Sequence, residues 1–179
     1  MCAGGSSSGE CWRAMNRAGA RGRPIYCMLQ NKQLALDSFV NAQSGVETYG
    51  DKGHAMGMPA WTIDGSDPGL CYASTAVARE FATAGGGPTL IHVETMRGCG
   101  HAHHHDDLYL GGASGNPPGY VDRGLPTYWA EKDPLPNHRA LLIRLGADDK
   151  ELESMEEQEQ APVDAAREGM MTTPSTEAN

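Results

Sequence analysis

The segment richest in reactive groups is Gly100-His101-Ala102-His103-His104-His105-Asp106-Asp107, which sets four imidazoles and two carboxylates within seven residues. Such a set can ligate a metal, hold a phosphate, or exchange protons near neutral pH. Arg97, just upstream, adds a planar fork of donors suited to phosphate oxygens. A solvated polar loop is the bland alternative for the same residues. A second candidate opens the chain at Gly4-Gly5-Ser6-Ser7-Ser8-Gly9. Glycines let backbone N–H groups approach a phosphate, and the start of a helix adds a favourable field. An unstructured Gly/Ser terminus is the competing explanation there.

Both candidates need elements to position them. Residues 10–20 carry Trp12, Met15 and Ala18 on one side of an expected helix that Gly22 and Pro24 stop. Ile25 to Leu29 is a short apolar run of the kind parallel sheets bury, and Ala60 to Ile63 and Thr89 to Val93 are two more. Between the last two lies the strongest helix signal. Asp67 is a good N-cap, Pro68 suits the first helical position, and Leu70, Ala73, Val77 and Phe81 follow at helical spacing up to Gly85–Gly87. Helix and strand therefore alternate, which predicts an α/β fold with a mostly parallel sheet flanked by helices and ligands beyond the carboxyl ends of the strands. Residues 97–120 form a long Gly-, His-, Asp- and Pro-rich loop. A helical C-terminal segment follows: one helix started by Asp133-Pro134 and ended by Gly146, then an acidic one started by Asp148 that Pro162 should bend or break. The expected organisation is residues 1–120 as the α/β part, which the resemblance given below makes a partial diphosphate-binding domain, 121–169 as the helical segment and 170–179 as a frayed tail.

Composition narrows the function classes. A net charge of -9, concentrated between Asp148 and Glu159, argues against nucleic acid or an anionic membrane as partner. No stretch approaches the roughly 18 apolar residues a bilayer requires. The small polar start does not resemble a secretory signal, and the five cysteines, scattered and without a C-x-x-C pair, read as reduced thiols of a cytoplasmic protein.

The order of short motifs then resembles the alpha subunit of thiamine diphosphate-dependent 2-oxo acid dehydrogenases, the pyruvate, branched-chain and acetoin enzymes. That family carries Gly-Asp-Gly, a spacer, then Asn-Asn. Here Gly4 takes the last place of the triplet, Gly5 to Gln30 make a spacer of 26 residues, and Asn31-Lys32 follows. Ile63-Asp64-Gly65-Ser66-Asp67, Gly87-Pro88-Thr89-Leu90-Ile91, Thr95-Met96-Arg97-Gly98-Cys99-Gly100-His101 and Lys132-Asp133-Pro134-Leu135 continue the resemblance in order, with Asp106, Asp107 and Tyr109 fitting loosely. It covers the chain from Gly4 to about Arg167.

The resemblance implies a partial thiamine diphosphate-binding fold and a set of roles. Gly4 and Gly5 would offer backbone donors to the diphosphate, with Asn31, Arg97 and His101 in the cofactor site and His101 also near the reacting acyl group. Asn31 and the Leu34 carbonyl would border Mg²⁺. A beta subunit and a lipoyl-bearing acyltransferase would be the partners. Two departures at metal ligands stand out, the metal-binding Asp falling at Ala3 and the second Asn at Lys32; a third is an acidic position in the next helix, which falls near Arg13. Position 32 is either decayed, with Lys32 facing solvent, or its ammonium replaces the metal. The chain would be a fragment or a degenerate copy, weakly active or inactive alone, with an uncovered sheet edge favouring self-association. An assembly remnant that only binds the beta subunit, or a metal-binding module built on the His cluster, are the other function classes. His103, His104 and His105 exceed the family pattern.

Overall fold

Among the described residues, five strands follow the chain: β1 (Tyr26–Asn31), β2 (Leu34–Ala35), β3 (Ser38–Phe39), β4 (Ala60–Asp64) and β5 (Thr89–Glu94). The three apolar runs of the sequence make one parallel sheet in the order β1-β5-β4, with Leu29 opposite His92 and Ile63 opposite Val93. The short β2 and β3 form an antiparallel hairpin. Central β5 is buried from Thr89 to Val93, which is why it reads as a continuous apolar run rather than an alternating one. The structure is a computed structural model that describes residues 1–102, 109, 119–122 and 124–174. Its contacts divide the chain into two units, Met1–Pro134 and Leu135–Asn179.

In the first unit, α1 (Gly9–Ala20), α2 (Gly50–His54), α3 (Pro68–Thr83) and α4 (Gly124–Ala130) join the sheet. One core cluster gathers Met15 of α1, Leu29 and Leu90 with Ala3, Tyr49 and Met58. A second gathers Ala78 of α3 with Ile63, Ile91 and Val93. Leu90 and Ile91 are neighbours on β5 and so point to opposite faces. The sheet therefore carries helices on both sides, as the alternation of elements implied. Helix α1 is capped by Ser8, whose hydroxyl accepts from Cys11 N at 3.3 Å, and α3 by Asp67, whose Oδ1 accepts from Leu70 N at 3.0 Å.

Helix α3 corrects one expectation. Its buried stripe is Ser74, Ala78 and Ala82, whereas Leu70, Val77 and Phe81 are exposed. Small residues spaced four apart let the helix lie close to the sheet, where Ile63, Ile91 and Val93 supply the bulk. The larger side chains are thereby turned outward.

The second unit holds most of α5 (Pro134–Arg144) and all of α6 (Asp149–Thr172). Gly146 ends the turn after α5 at φ +99°, and the Asp148 carboxylate caps α6 by accepting from Lys150 N at 2.8 Å. Arg139 of α5 donates to Asp149 at 2.6 Å and to Glu156 at 2.5 Å, so basic and acidic side chains pair within the unit. Pro162 does not interrupt α6, which continues on both sides of it. Proline removes one N–H and crowds one carbonyl, and on a helix with no buried residue water can serve the displaced group. The helix also includes Met170 to Thr172, where the Thr172 and Thr173 hydroxyls donate back to the Glu168 and Gly169 carbonyls. Among the described residues, no helix is long and apolar enough to cross a membrane.

Candidate functional site

The carboxyl ends of β1 and β5 lead into the two segments that the sequence marks as chemical. After β1 the chain turns sharply, with Gln33 at φ +65°. A side chain in that region is strained and persists only where its surroundings hold it. Here the Asn31 Oδ1 accepts from Gln33 N at 3.0 Å, and Gln33 Nε2 donates to Glu94 Oε2 at 2.9 Å. The turn delivers Leu34, Ala35 and Leu36 as one wall of a cavity. After β5, Arg97 and His101 make the opposite wall.

Arg97 ties these walls together. Its Nη2 donates to the Leu36 carbonyl and, at 2.6 Å, to the Tyr120 hydroxyl, while its Nη1 lies 3.5 Å from His101 Nδ1. Tyr109, fully buried, donates to the Arg97 carbonyl at 2.9 Å, and its ring lies 5.3 Å from the guanidinium carbon. Burial pushes the Tyr109 phenol up, so it stays a neutral donor. A guanidinium cannot accept, so the contact with His101 Nδ1 selects the tautomer with its proton on Nε2. The Arg97 Nε is buried and finds no acceptor among the described residues.

The resulting cavity, about 470 Å³, is lined by Cys2, Lys32, Leu34, Ala35, Leu36, Arg97, Gly100 and His101. Four of the sequence-flagged residues thus meet: Lys32, Leu34, Arg97 and His101. The glycine turn sits behind them, because a Cβ on Gly4 would lie 2.8 Å from the Ala35 Cβ, and only glycine permits that approach. The Gly5 N–H is directed at the Cys2 sulfur, 3.4 Å away. Neither glycine lines the cavity itself.

Ala3 and Asn31 stand apart from it as well. Ala3 is 1% exposed and belongs to the apolar cluster with Met15, Leu29 and Leu90. Asn31 is buried, and its amide is engaged by Gln33 N and, at 3.4 Å, by Glu94 Oε1. Lys32 is half-buried and makes no hydrogen bond or ion pair to a described residue. His103, His104, His105, Asp106 and Asp107, for which the sequence suggests chemistry, lie outside the described residues. Among the described residues, no group of three or more His, Cys, Asp or Glu side chains could hold a metal.

Sequence reading missed Glu94, the carboxylate at the end of the central strand. It joins Asn31 and Gln33 to buried His92, whose Nδ1 lies 3.0 Å from the Thr62 hydroxyl and whose Nε2 lies 3.2 Å from Glu94 Oε1 without hydrogen-bond alignment. Its position at a strand's carboxyl end was the available signal. A second crevice, about 540 Å³, lies on the other side of Arg97, between residues 95–98 and α4. It includes Lys132, whose ammonium pairs with Asp64 at 2.9 Å and lies over the Tyr128 and Trp129 rings. That cation is already paired, whereas Lys32 in the first cavity has no ion pair to a described residue. Burial alone would raise the Asp64 carboxyl, but hydrogen bonds from Ser66 and Lys132 outweigh it and hold it below the usual range.

Comparison with known proteins shows the family of the chain. A family model described as dehydrogenase E1 component matches residues 2–179. The chain is 37% identical over 165 residues to the pyruvate dehydrogenase E1 component subunit alpha of Bacillus subtilis, covering 92% of this chain and 41% of that protein. It is 37% identical over 150 residues to the Bacillus cereus protein of the same name, covering 84% and 38%. The Staphylococcus aureus protein of that name is 35% identical over 155 residues, covering 86% and 40%. The chain thus spans about two-fifths of the length of the curated relatives it matches. From Cys2 to Asn179, this chain belongs to the dehydrogenase E1 component family.

Proposed function

We propose that this chain is the diphosphate-binding part of the alpha subunit of a thiamine diphosphate-dependent 2-oxo acid dehydrogenase, which decarboxylates a 2-oxo acid and passes the acyl group to a lipoyl carrier. The observation that carries the reading is the one cavity in which Lys32, Arg97 and His101 meet beside the glycine turn. The names of the relatives make pyruvate the first substrate to test, and a beta subunit and a lipoyl-bearing acyltransferase are the partners the reading requires.

The residues fit the diphosphate of the cofactor. Thiamine diphosphate, when bound, supplies the electron sink that 2-oxo acid decarboxylation needs. Arg97 is held by Leu36 and Tyr120 in a fixed orientation and keeps an orphaned Nε donor. In our reading it supplies a charge-assisted contact to a diphosphate oxygen. His101, with Nδ1 toward Arg97, keeps its Nε2–H as a donor for a second anionic oxygen or for the acyl oxygen. Gly4 permits the close packing of turn and hairpin that sets the cavity's depth.

The residues do not fit Mg²⁺. That ion prefers one or two carboxylates with phosphate and water oxygens. Ala3 offers none and lies in an apolar cluster, Asn31 is engaged elsewhere, and the cavity presents cations instead. No step through a metal is therefore derived, and we expect decarboxylation by the chain alone to be weak or absent.

Calorimetric titration with thiamine diphosphate against thiamine tests the reading. Binding of the diphosphate ester and not of thiamine is expected, with about a tenfold or greater loss in Arg97→Met, the scale of a charge-assisted contact. Equal binding of both ligands would contradict it.

A further inference from the structure

We infer that the cavity holds a diphosphate group without a divalent cation, with the Lys32 ammonium supplying the positive charge that a metal would otherwise bring. The inference rests on the reading of this cavity as the diphosphate site and goes beyond it.

Three independent features lead there. First, the charge of the described lining is one-sided: Lys32 and Arg97 are present, His101 adds an imidazole, and no carboxylate of the described residues lines the wall. Among the described residues, a bare divalent cation entering this space would meet two like charges and no compensating anion, whereas a diphosphate would meet two opposite ones. Second, the oxygens a metal needs are committed elsewhere. The Ala3 side chain is packed among Met15, Leu29 and Leu90, and the carboxylate at the end of β5, Glu94, is held by Gln33 Nε2 at 2.9 Å and Asn31 Nδ2 at 3.4 Å. Third, donors are left over. Lys32 is half-buried at the cavity with no ion pair or hydrogen bond to a described residue. The Arg97 Nε is buried without an acceptor among them. Donors without acceptors away from bulk water are rare in folded proteins, and an anion in the cavity would give the Lys32 ammonium a partner. A lysine is suited to this role as a compact point charge on a flexible stem, in contrast to the fixed fork of Arg97.

The experiment is a calorimetric titration of the whole 179-residue chain with inorganic diphosphate, run in EDTA and again in excess Mg²⁺. Binding of equal strength in both is expected. Lys32→Met should weaken it by about tenfold or more, and Lys32→Arg should restore most of the loss, with thermal melting of each variant unchanged. Binding that appears only with Mg²⁺, or that survives Lys32→Met undiminished, overturns the inference and leaves the diphosphate site standing. Absence of diphosphate binding in every condition overturns the site itself, and the inference with it.

Discussion

At the scale of single residues, the contrast between Ala3 and Lys32 decides what the site can hold. Ala3 occupies the place where the family resemblance puts a metal-binding carboxylate, yet it is a core residue here. Restoring that carboxylate should therefore not restore a metal site. Ala3→Asp is expected to lose about 3 kcal/mol of stability in urea denaturation, the scale of an uncompensated buried charge. A variant as stable as the parent that gains Mn²⁺ binding would show that position 3 faces the cavity after all. His92 gives a pH dependence with a definite sign. Burial lowers its affinity for a proton, despite the opposing pull of Glu94 and Asp51. The unfolded chain then takes up a proton below about pH 6.5 that the folded chain resists. Its contribution to stability is present above that pH and lost as pH falls toward the folded value. The melting temperature should drop between pH 7 and pH 5.5, and His92→Gln should flatten part of that slope; an unchanged slope would remove His92 from the account.

At the scale of elements, α3 separates what packing decides from what a pattern suggests. Ala78 is fully buried against the sheet and Val77, one residue away, is 58% exposed. Ala78→Leu should cost about 1–3 kcal/mol by overpacking, whereas Val77→Ala should stay within about 0.5 kcal/mol, as exposed sites do. Equal losses in denaturant titrations would mean that the helix is rotated about its axis. The three strands, the capped starts of α3 and α6 and the end of α5 were legible in the sequence, because caps, prolines and glycines act locally. The buried face of α3 was not: Leu70, Val77 and Phe81 follow the helical period as well as Ser74, Ala78 and Ala82 do, and only the neighbouring sheet chooses between them. The β2–β3 hairpin was also hidden, since its positive-φ residues are Gln33 and Leu36 rather than the glycine or asparagine that marks such turns. Of the residues that line the cavity, Lys32, Leu34, Arg97 and His101 were singled out by motif spacing. Glu94 and the Leu36 carbonyl were missed, because their roles arise from strand register and from a loop contact across 61 residues of chain.

For the whole molecule, the central claim is that β1 and β5 of the first unit bring the glycine turn and the Arg97 segment to one anion-binding cavity. That cavity competes for the role with the crevice beside α4, which shares Arg97 as a wall but whose lysine is already paired with Asp64. The most direct discrimination is an amide chemical-shift map of the ¹⁵N-labelled chain titrated with thiamine diphosphate. The account predicts saturable shifts centred on Gly4, Gly5, Lys32, Leu36, Arg97 and His101, with Trp129 and Lys132 little changed. Shifts centred on Trp129 and Lys132 while Lys32 and His101 stay still would contradict it.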